Sequence, residues 1–264
     1  ARIDAGRVTF NTGDKLWVEG SGIWDPQYYA GEYHYTMRRA CTCPDFDDPF
    51  TADSPEPRQM LEIVRAINWR RGSRELSIMA LYGWLCVGPI CGILKWRPHL
   101  WLDGQRGSGK SWIVENVVKS VLGNYALNVT SNSTEPGLRS ELTTRNFPLV
   151  FDEAEGENQN DRTRMHAIIQ MARHAADPND AFVLQGVSGG GSGRFQSIQS
   201  TFLLASITAQ LNAPADRTRF ARAHLGDGLN GRDFEEHLER PAHDLLTPTF
   251  SRRFVARVVM RAHD

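Results

Sequence analysis

The sequence predicts an α/β fold, in which helices pack on a mainly parallel β-sheet. From residue 99 onward, short apolar segments typical of strands alternate with segments whose apolar residues recur at helical spacing. A glycine-rich turn, GQRGSGKS at residues 104–111, joins one predicted strand directly to one predicted helix. Residues 1–53 instead contain short β-branched and aromatic runs between glycine turns, which predicts a small β-rich N-terminal segment.

The first 96 residues are predicted to contain three strands followed by two helical regions. The segments RVTFNTG, KLWVEG and EYHYTMR alternate apolar and polar residues as half-buried strands do. Residues 43–57 are rich in Pro and Asp, which predicts a linker whose last prolines open a helix. Residues 75–94 are apolar on nearly every side, which predicts a buried helix or helix pair broken near Gly88 and Pro89.

The rest of the chain is predicted to alternate strands with helices and to include one hairpin. Residues 182–198, FVLQGVSGGGSGRFQSI, predict that hairpin because two strand-like runs flank a glycine-rich tip. The last two predicted helices span residues 234–240 and 248–261. The other predicted strands are HLWLDG, YALNVT, FPLVFDE, STFLLASI and RFARAHL, and the helices between them are 110–122, TEPGLRSEL and 161–176.

Composition and charge limit the classes of protein to consider. With 41% hydrophobic and 23% charged residues over 264 positions, the composition is that of a soluble globular protein. The net charge of −1 gives no overall basic field, so nucleic-acid binding requires local basic residues or residues pooled around an oligomer. Lys95, Arg97 and His99 interrupt the longest apolar stretch, so no transmembrane helix is predicted. The four cysteines lack the spacing of a zinc site, which predicts buried or free thiols.

The glycine-rich turn at residues 104–111 matches the phosphate-binding pattern G-x-x-x-x-G-K-[ST]. Its glycines allow backbone N–H groups to approach a phosphate, and the following helix adds the positive end of its dipole. Lys110 is predicted to contact the β- and γ-phosphates, and Ser111 to bind Mg²⁺ through its hydroxyl. The predicted nucleotide-binding residues are Gly104, Gln105, Arg106, Gly107, Ser108, Gly109, Lys110, Ser111 and Trp112.

An acid pair follows a second predicted strand about 40 residues later. In FPLVFDEAE, four apolar residues precede Asp152 and Glu153 at the carboxyl end of the strand. Asp152 is predicted to hold Mg²⁺ through water, and Glu153 to polarise the attacking water as a general base. The pair favours nucleotide hydrolysis over phosphoryl transfer to a metabolite.

Polar residues near the next strand are candidates for sensing the γ-phosphate. Ser206 and Thr208 lie at or just beyond the end of STFLLASI, and either could contact the γ-phosphate. Arg217 and Arg219 lie just before the strand RFARAHL. An arginine there could stabilise charge on the γ-phosphate of a neighbouring subunit. Alternatively, the sequence DRTR is a solvated ion-pair cluster.

Four ordered segments resemble one family of motor proteins. They are RPHLWLDGQRGSGKSWIVENVVKSVLG, STEPGLRSEL, FPLVFDEAE and FLLASITAQLNAPADRTRFARAHL. Together they resemble the helicase domain of phage and prophage primase-helicases, which are superfamily 3 helicases within the AAA+ ATPases. The resemblance covers residues 58–228.

The resemblance implies an AAA+-type P-loop NTPase sheet with flanking helices, and a hexameric homo-oligomer that threads single-stranded or forked DNA. ATP and Mg²⁺ are the implied cofactors. Arg219 falls at the position of the family's arginine finger, with Arg217 as the neighbouring candidate. The family usually carries Asn as its sensor where this chain has Thr208, so Thr208 or Ser206 would replace it.

The resemblance also assigns a role to the predicted hairpin and a setting to the protein. The family's corresponding loop projects into the central channel and binds the DNA backbone, and Arg194 is the one basic residue of this hairpin. A surface hairpin without a ligand is the alternative. The implied location is the cytoplasm, that of the host bacterium for a phage protein, with no membrane association. A primase segment often lies upstream in the family.

These observations predict four regions and one principal function. The regions are a β-rich N-terminal segment (1–53), a helical collar or linker (54–96), a P-loop ATPase core (97–228) and a helical lid or tail (229–264). The predicted function is an ATP-dependent DNA helicase or translocase. The alternative is an ATP-gated DNA loader or assembly module, or a DNA-packaging-type ATPase, with little unwinding activity.

Overall fold

The computed structural model describes most of the chain. The described residues are 1–35, 37–38, 40–129, 133–142, 145–152, 159–177, 182–185, 194–209, 211, 213–228 and 232–263. For residues 159–161, 182–185, 194–197 and 232, the backbone alone is described.

A five-stranded parallel sheet forms the centre of the molecule. In spatial order its strands are β11 (Phe220–His224), β5 (His99–Asp103), β10 (Phe202–Ser206), β7 (Leu149–Phe151) and β6 (Leu127–Val129). β10 lies between β5 and β7, with Leu204 paired to Trp101 on one side and to Phe151 on the other. Every residue of β5 and β10 is buried, as expected for the inner strands of a parallel sheet.

Helices cover both faces of this sheet, which confirms the predicted α/β fold. Alternate residues of β5 enter different cores: Leu100 and Leu102 pack on one face, and Trp101 on the other. The first face carries α1 (Glu56–Ala66), α2 (Arg74–Val87), α3 (Lys110–Ile113), α4 (Lys119–Leu122), α9 (Arg240–Leu245) and α10 (Pro248–Met260). The second face carries α5 (Glu135–Leu142) and α6 (Gln159–Ala176).

Two short helices complete the order of elements. α7 (Pro214–Arg217) precedes β11, and α8 (Arg232–Phe234) leads through a π-helical turn, Glu235–Glu239, into α9. A second π-helical turn, Val114–Val118, joins α3 to α4. Within the described residues, no helix is both long enough and apolar enough to cross a bilayer.

Two buried basic side chains join the sheet to the carboxyl end of α6. Arg97 donates from Nε to the carbonyl of Cys91 (2.8 Å) and from Nη1 to that of Ala175 (3.2 Å). The His99 ring Nε2 lies 2.6 Å from the carbonyl of Ala172, and its Nδ1 accepts from the Phe202 amide at 3.1 Å. Burial lowers the pKa of His99 to about 3, so its ring is neutral and donates from Nε2.

The N-terminal segment forms a separate antiparallel sheet in the order β1-β2-β3-β4. Its strands are β1 (Arg2–Asp4), β2 (Arg7–Asn11), β3 (Leu16–Val18) and β4 (Gly22–Trp24). Two of the three predicted strands are confirmed here as β2 and β3. The prediction of a strand at EYHYTMR is wrong for the described residues of that segment.

Side-chain contacts explain that error. The Tyr35 hydroxyl donates to Asp4 Oδ2 at 2.7 Å and lies 2.9 Å from Thr9 Oγ1, and the Glu32 amide donates to Asp4 Oδ1 at 2.7 Å. The buried carboxylate of Asp4 therefore holds this segment against the sheet without a strand ladder.

The apolar segment 75–94 is α2 followed by a 3₁₀ turn at Gly88–Ile90, which confirms the predicted break. The prediction of a buried helix is wrong for the first half of α2, because Leu76 and Met79 are each 69% exposed. Only one face of α2 packs on the sheet, through residues such as Leu81 and Leu85.

The Pro- and Asp-rich segment 43–57 lies against the last helix. Arg253 donates to the carbonyl of Asp48 at 2.9 Å, and Arg252 donates to the carbonyl of Cys43 at 3.2 Å. The rings of Phe50 and Phe250 pack 5.2 Å apart. Arg252 and Arg253 of α10 therefore bind the segment 43–57 through hydrogen bonds to its carbonyl groups.

The four cysteines are free thiols, as predicted. Burial raises the pKa of Cys41 to about 12 and that of Cys86 to about 11. Burial also raises the pKa of Cys43 and of Cys91. All four side chains are therefore protonated at neutral pH.

Candidate nucleotide-binding site

The glycine-rich turn lies between β5 and α3, as its sequence predicts, and we call residues 104–111 the P-loop. The chain leaves the sheet after Asp103 and turns tightly, with the Ser108 amide donating to the Gln105 carbonyl at 3.1 Å. Gln105, Arg106 and Ser111 are exposed on this loop. The loop therefore presents both backbone and side chains to solvent at the start of a helix.

The glycines of the P-loop are required for two different reasons. Gly107 and Gly109 have φ of 80° and 92°, and a Cβ at either would meet nothing within 4 Å. Their requirement is thus conformational. At Gly104 it is steric, because a Cβ would lie 2.6 Å from Ser108 Oγ and 2.8 Å from Leu225 Cβ.

Lys110 places its charge inside the P-loop. Its Nζ donates to the carbonyl of Gly104 at 2.6 Å and to that of Gln105 at 3.0 Å. Ser108 Oγ is buried nearby and forms no hydrogen bond with any described residue. An ammonium and an unsatisfied hydroxyl in a loop of this shape fit the oxygens of a bound phosphate chain.

The helix that follows the P-loop contains the π-helical turn described above. Trp112, one residue beyond Ser111, packs edge-on against Phe234 with ring centroids 5.0 Å apart. Buried valines of the π-helical turn anchor the helix in the core. π-Helical turns often occur at functional sites, and this one lies one turn from Lys110.

Asp152 lies at the same edge of the sheet as the P-loop. It directly follows β7, and parallel strands end at a common edge, so Asp152 and Gly104 both leave the sheet at its carboxyl side. One strand separates β7 from β5, which spaces them about 10 Å apart. Glu153, the predicted general base, lies outside the described residues.

The two candidate sensors differ in their surroundings. Ser206 ends β10, between the P-loop and Asp152, and it is buried. Its Oγ accepts from Trp101 Nε1 at 2.8 Å and donates to the carbonyl of Thr208 at 2.9 Å. Thr208 is exposed beyond the strand end. Ser206 therefore fixes the turn that presents Thr208.

The two candidate arginines lie at the opposite edge of the sheet. The amide of His99, the first residue of β5, donates to the carbonyl of Arg219 at 3.0 Å. Arg219 therefore precedes β11 at the amino side, about 17 Å from the P-loop for a five-residue strand. Arg219 cannot contact the P-loop of its own chain from this position.

Hydrogen bonds hold both arginines in place. Arg219 Nη1 donates to the Ala215 carbonyl at 3.0 Å, and Arg217 Nε donates to the Leu211 carbonyl at 3.1 Å. Asp216, between them, is buried and accepts two bonds from Arg173 of α6, at 2.6 and 2.9 Å. The DRTR sequence is thus partly an ion-pair cluster, formed with α6.

A charged group beside the P-loop was missed by the sequence reasoning. Arg222 Nη2 lies 2.9 Å from Asp103 Oδ2, and His224 Nδ1 lies 2.7 Å from Asp103 Oδ1. Asp103 and His224 pair at the carboxyl ends of β5 and β11, next to Gly104, and Arg222 lies two residues earlier in β11. The sequence signal for this group is the spacing of Arg222 and His224 in RFARAHL. Side chains two residues apart lie on the same side of a strand, so these two basic residues face the same way.

The predicted hairpin is confirmed as the antiparallel pair β8 (Phe182–Gln185) and β9 (Arg194–Ser197). Arg194 pairs with Gln185 at the last register position before the tip. The glycine-rich tip, 186–193, lies outside the described residues.

Comparison of the sequence with models of known protein families gives no match. Comparison with curated proteins gives no match either.

Solved structures give low-identity matches. An A-form apo structure of the NrS-1 C-terminal region (305–718) matches with 13% identity and a TM-score of 0.45, covering 93% of this chain and 51% of that chain. Another apo structure of that region matches with 12% identity and a TM-score of 0.43, covering 95% and 58%. JCV helicase, solved with a bound substituted acetamide, matches with 15% identity and a TM-score of 0.41, covering 81% and 56%. The chain thus spans a little over half the length of these solved chains.

Proposed function

We propose that this chain is the motor part of an ATP-dependent DNA helicase or translocase of the superfamily 3 type. The observation that carries the proposal is the division of the site between the two edges of one sheet. The P-loop and Asp152 lie at the carboxyl edge, and Arg219 lies at the amino edge. A site that needs both groups must be completed by a second copy of the chain.

The residues at the carboxyl edge fit Mg²⁺ and ATP. Lys110, already directed into the P-loop, would neutralise the β- and γ-phosphates, and the exposed Ser111 would bind the metal directly. Asp152 would hold the metal through water. Mg²⁺ supplies charge neutralisation on the phosphate oxygens.

Hydrolysis requires a base and a positive charge at the γ-phosphate. Glu153 directly follows Asp152 in the sequence, and we assign it the role of orienting and deprotonating water. Arg219 of the neighbouring copy would stabilise charge on the γ-phosphate, with Arg217 as the second candidate. Thr208, presented by Ser206, would detect whether the γ-phosphate is present.

Movement on DNA is assigned to the hairpin. Arg194 lies at the base of its tip, and six copies around a ring would present six positive charges to a DNA backbone. Such a ring would allow a chain whose own net charge is only −1 to bind DNA. Single-stranded or forked DNA is the proposed partner.

The first test is ATP hydrolysis measured with and without single-stranded DNA over a range of protein concentrations. We expect the hydrolysis rate per chain to rise with protein concentration, because two copies share the site. We expect it to rise also when single-stranded DNA is added, because hydrolysis is coupled to movement along the DNA. Arg194→Ala should abolish the stimulation by DNA and preserve basal hydrolysis. Hydrolysis that does not respond to DNA would contradict the motor and favour an ATP-gated loader.

A mixing experiment tests the shared site. Lys110→Ala and Arg219→Ala should each lower hydrolysis, the arginine variant by about 1000-fold. Mixing the two should restore part of the rate, since one copy retains its P-loop and the neighbour its arginine. Arg240→Ala, an exposed arginine paired with Glu235, is the matched control. No recovery on mixing, in samples shown to co-assemble, would refute sharing through Arg219.

A further inference from the structure

A segment after β11 lies directly against the P-loop. A Cβ added to Gly228 would clash with the carbonyl oxygen of Gly107, and Leu225 Cβ lies 2.8 Å from the position of a Cβ on Gly104. Residues 225–228 therefore contact the P-loop backbone at Gly104, near its start, and at Gly107, which we call its crest. At both contacts, one partner is a glycine that allows the close approach.

Asn68 forms two hydrogen bonds with this segment. The Gly226 amide donates to the Asn68 carbonyl at 2.7 Å, and Asn68 Nδ2 donates to the carbonyl of Asp227. The neighbouring Trp69 forms a β-bridge with Leu225. Asn68 and residues 225–228 together are named the brace.

The brace has a rigid base. Trp69 is buried, and its Nε1 donates to the Val64 carbonyl of α1 at 2.8 Å. The Arg70 amide donates to the His224 carbonyl at 2.9 Å, so the connection between α1 and α2 runs beside β11. The brace thus links the P-loop to the helices on one face of the sheet.

The contact at Gly228 fixes the orientation of one peptide group in the P-loop. In a trans peptide, the carbonyl of Gly107 and the amide of Ser108 point in opposite directions. The Ser108 amide points into the loop, towards the Gln105 carbonyl, and the Gly107 carbonyl points out, towards Gly228. A carbonyl turned inward would instead repel a bound phosphate.

We propose that the brace positions the crest of the P-loop for a nucleoside triphosphate, with Gly228 and Asn68 as the positioning residues. Gly228 packs against the outward-pointing carbonyl of Gly107, at a distance that leaves no room for a side chain. Asn68 fixes how closely the segment that carries Gly228 lies against the P-loop. This role rests on the proposed function, in which the P-loop binds nucleotide. It makes phosphate affinity depend on residues about 40 and 120 positions away in the sequence.

Gly228→Ala is the most direct test. The backbone of Gly228 lies outside the left-handed region, so alanine is allowed there and its methyl group is directed onto the Gly107 carbonyl. We expect the dissociation constants of Mg·ATP and of tripolyphosphate both to rise about ten-fold. Asn68→Asp, which removes the donor to Asp227, should weaken both ligands in the same direction.

Gly72→Ala is the matched control, because a Cβ at Gly72 meets nothing within 4 Å and its backbone is equally permissive. Hydrogen exchange measured without nucleotide gives an independent readout. Because Gly228→Ala disturbs the brace, the amides of residues 105–109 should exchange faster in this variant than in the wild type. The thermal midpoint identifies a variant that fails to fold, in which case Asn68→Asp carries the test.

The outcomes separate the two proposals. Wild-type protein that binds neither ligand refutes the proposed nucleotide function, and the exchange measurement still tests the contact. Unchanged affinities in both brace variants refute the brace while leaving the nucleotide function standing. Weaker binding of Mg·ATP with unchanged binding of tripolyphosphate would also refute the brace, because the variants would then change contacts with the nucleoside and not with the phosphates.

Discussion

Lys110→Ala is expected to lower ATP hydrolysis by about 100-fold or more. The lysine ammonium is held inside the P-loop by the carbonyls of Gly104 and Gln105, so its charge is already in place when a phosphate chain enters. Alanine removes that charge and leaves two carbonyl oxygens facing the phosphates. The measurement is steady-state phosphate release at saturating ATP, with nucleotide binding followed separately.

Lys119→Ala provides the matched control for this variant. Lys119 lies on the same helical segment and pairs with the exposed Glu115 at 2.5 Å. An exposed pair of this kind contributes at most about 1 kcal/mol, so hydrolysis should remain near the wild-type rate. Equal rates for Lys110→Ala and wild type would show that this loop is not the hydrolytic site.

Acidification is expected to destabilise the protein through His99. Burial, together with the nearby positive charges of Arg97 and Arg219, lowers the pKa of His99 from its ordinary value of 6.5 to about 3. Below pH 6.5 the unfolded chain binds a proton at His99 that the folded protein does not bind. The contribution of the neutral ring to stability is therefore fully present above pH 6.5 and is lost as the pH falls towards 3.

The expected loss is about 1.4 kcal/mol for each pH unit in this window, or about 3 kcal/mol at pH 4.5. Urea denaturation at pH 4.5 and pH 7.5 measures it. His99→Gln cannot titrate and should show a smaller difference between the two pH values, although it is less stable at pH 7.5. The matched control is His243→Gln, a histidine side chain that is 88% exposed. An unchanged pH dependence in His99→Gln would show that His99 is not the group responsible.

Local signals were predictable from the sequence, and long-range contacts were not. The P-loop was predicted because its glycines, Lys110 and the following helix lie within a dozen residues. Apolar periodicity likewise predicted the strands on either side of it. The order in which those strands pair was not predicted, because β10 is inserted between β5 and β7 by contacts more than 50 residues apart.

The residues that were missed share a physical cause. Asn68 meets Asp227 across 159 positions, and Arg222 meets Asp103 across 119, so neither pair leaves a periodic pattern. Tyr35 gave a misleading signal because an alternating aromatic run fits a strand as well as it fits hydrogen bonds to a buried carboxylate. Leu76 and Met79 show that apolar composition alone does not identify which face of a helix is buried.

The π-helical turn between α3 and α4 has a consequence for chain length. A π-helical turn contains one more residue than the α-helical turn it replaces, and each α-helical residue advances the helix by about 100°. Val114–Val118 therefore accommodates one extra residue between the end that carries Lys110 and the buried face of α4 with little rotation of one against the other. Deleting one residue there would leave an ordinary α-helical turn, and Lys110 would keep its direction relative to the core. A deletion elsewhere in this helical segment would instead turn the Lys110 end by more than a quarter of a revolution. The π-helical turn is thus where this helix tolerates a change of length.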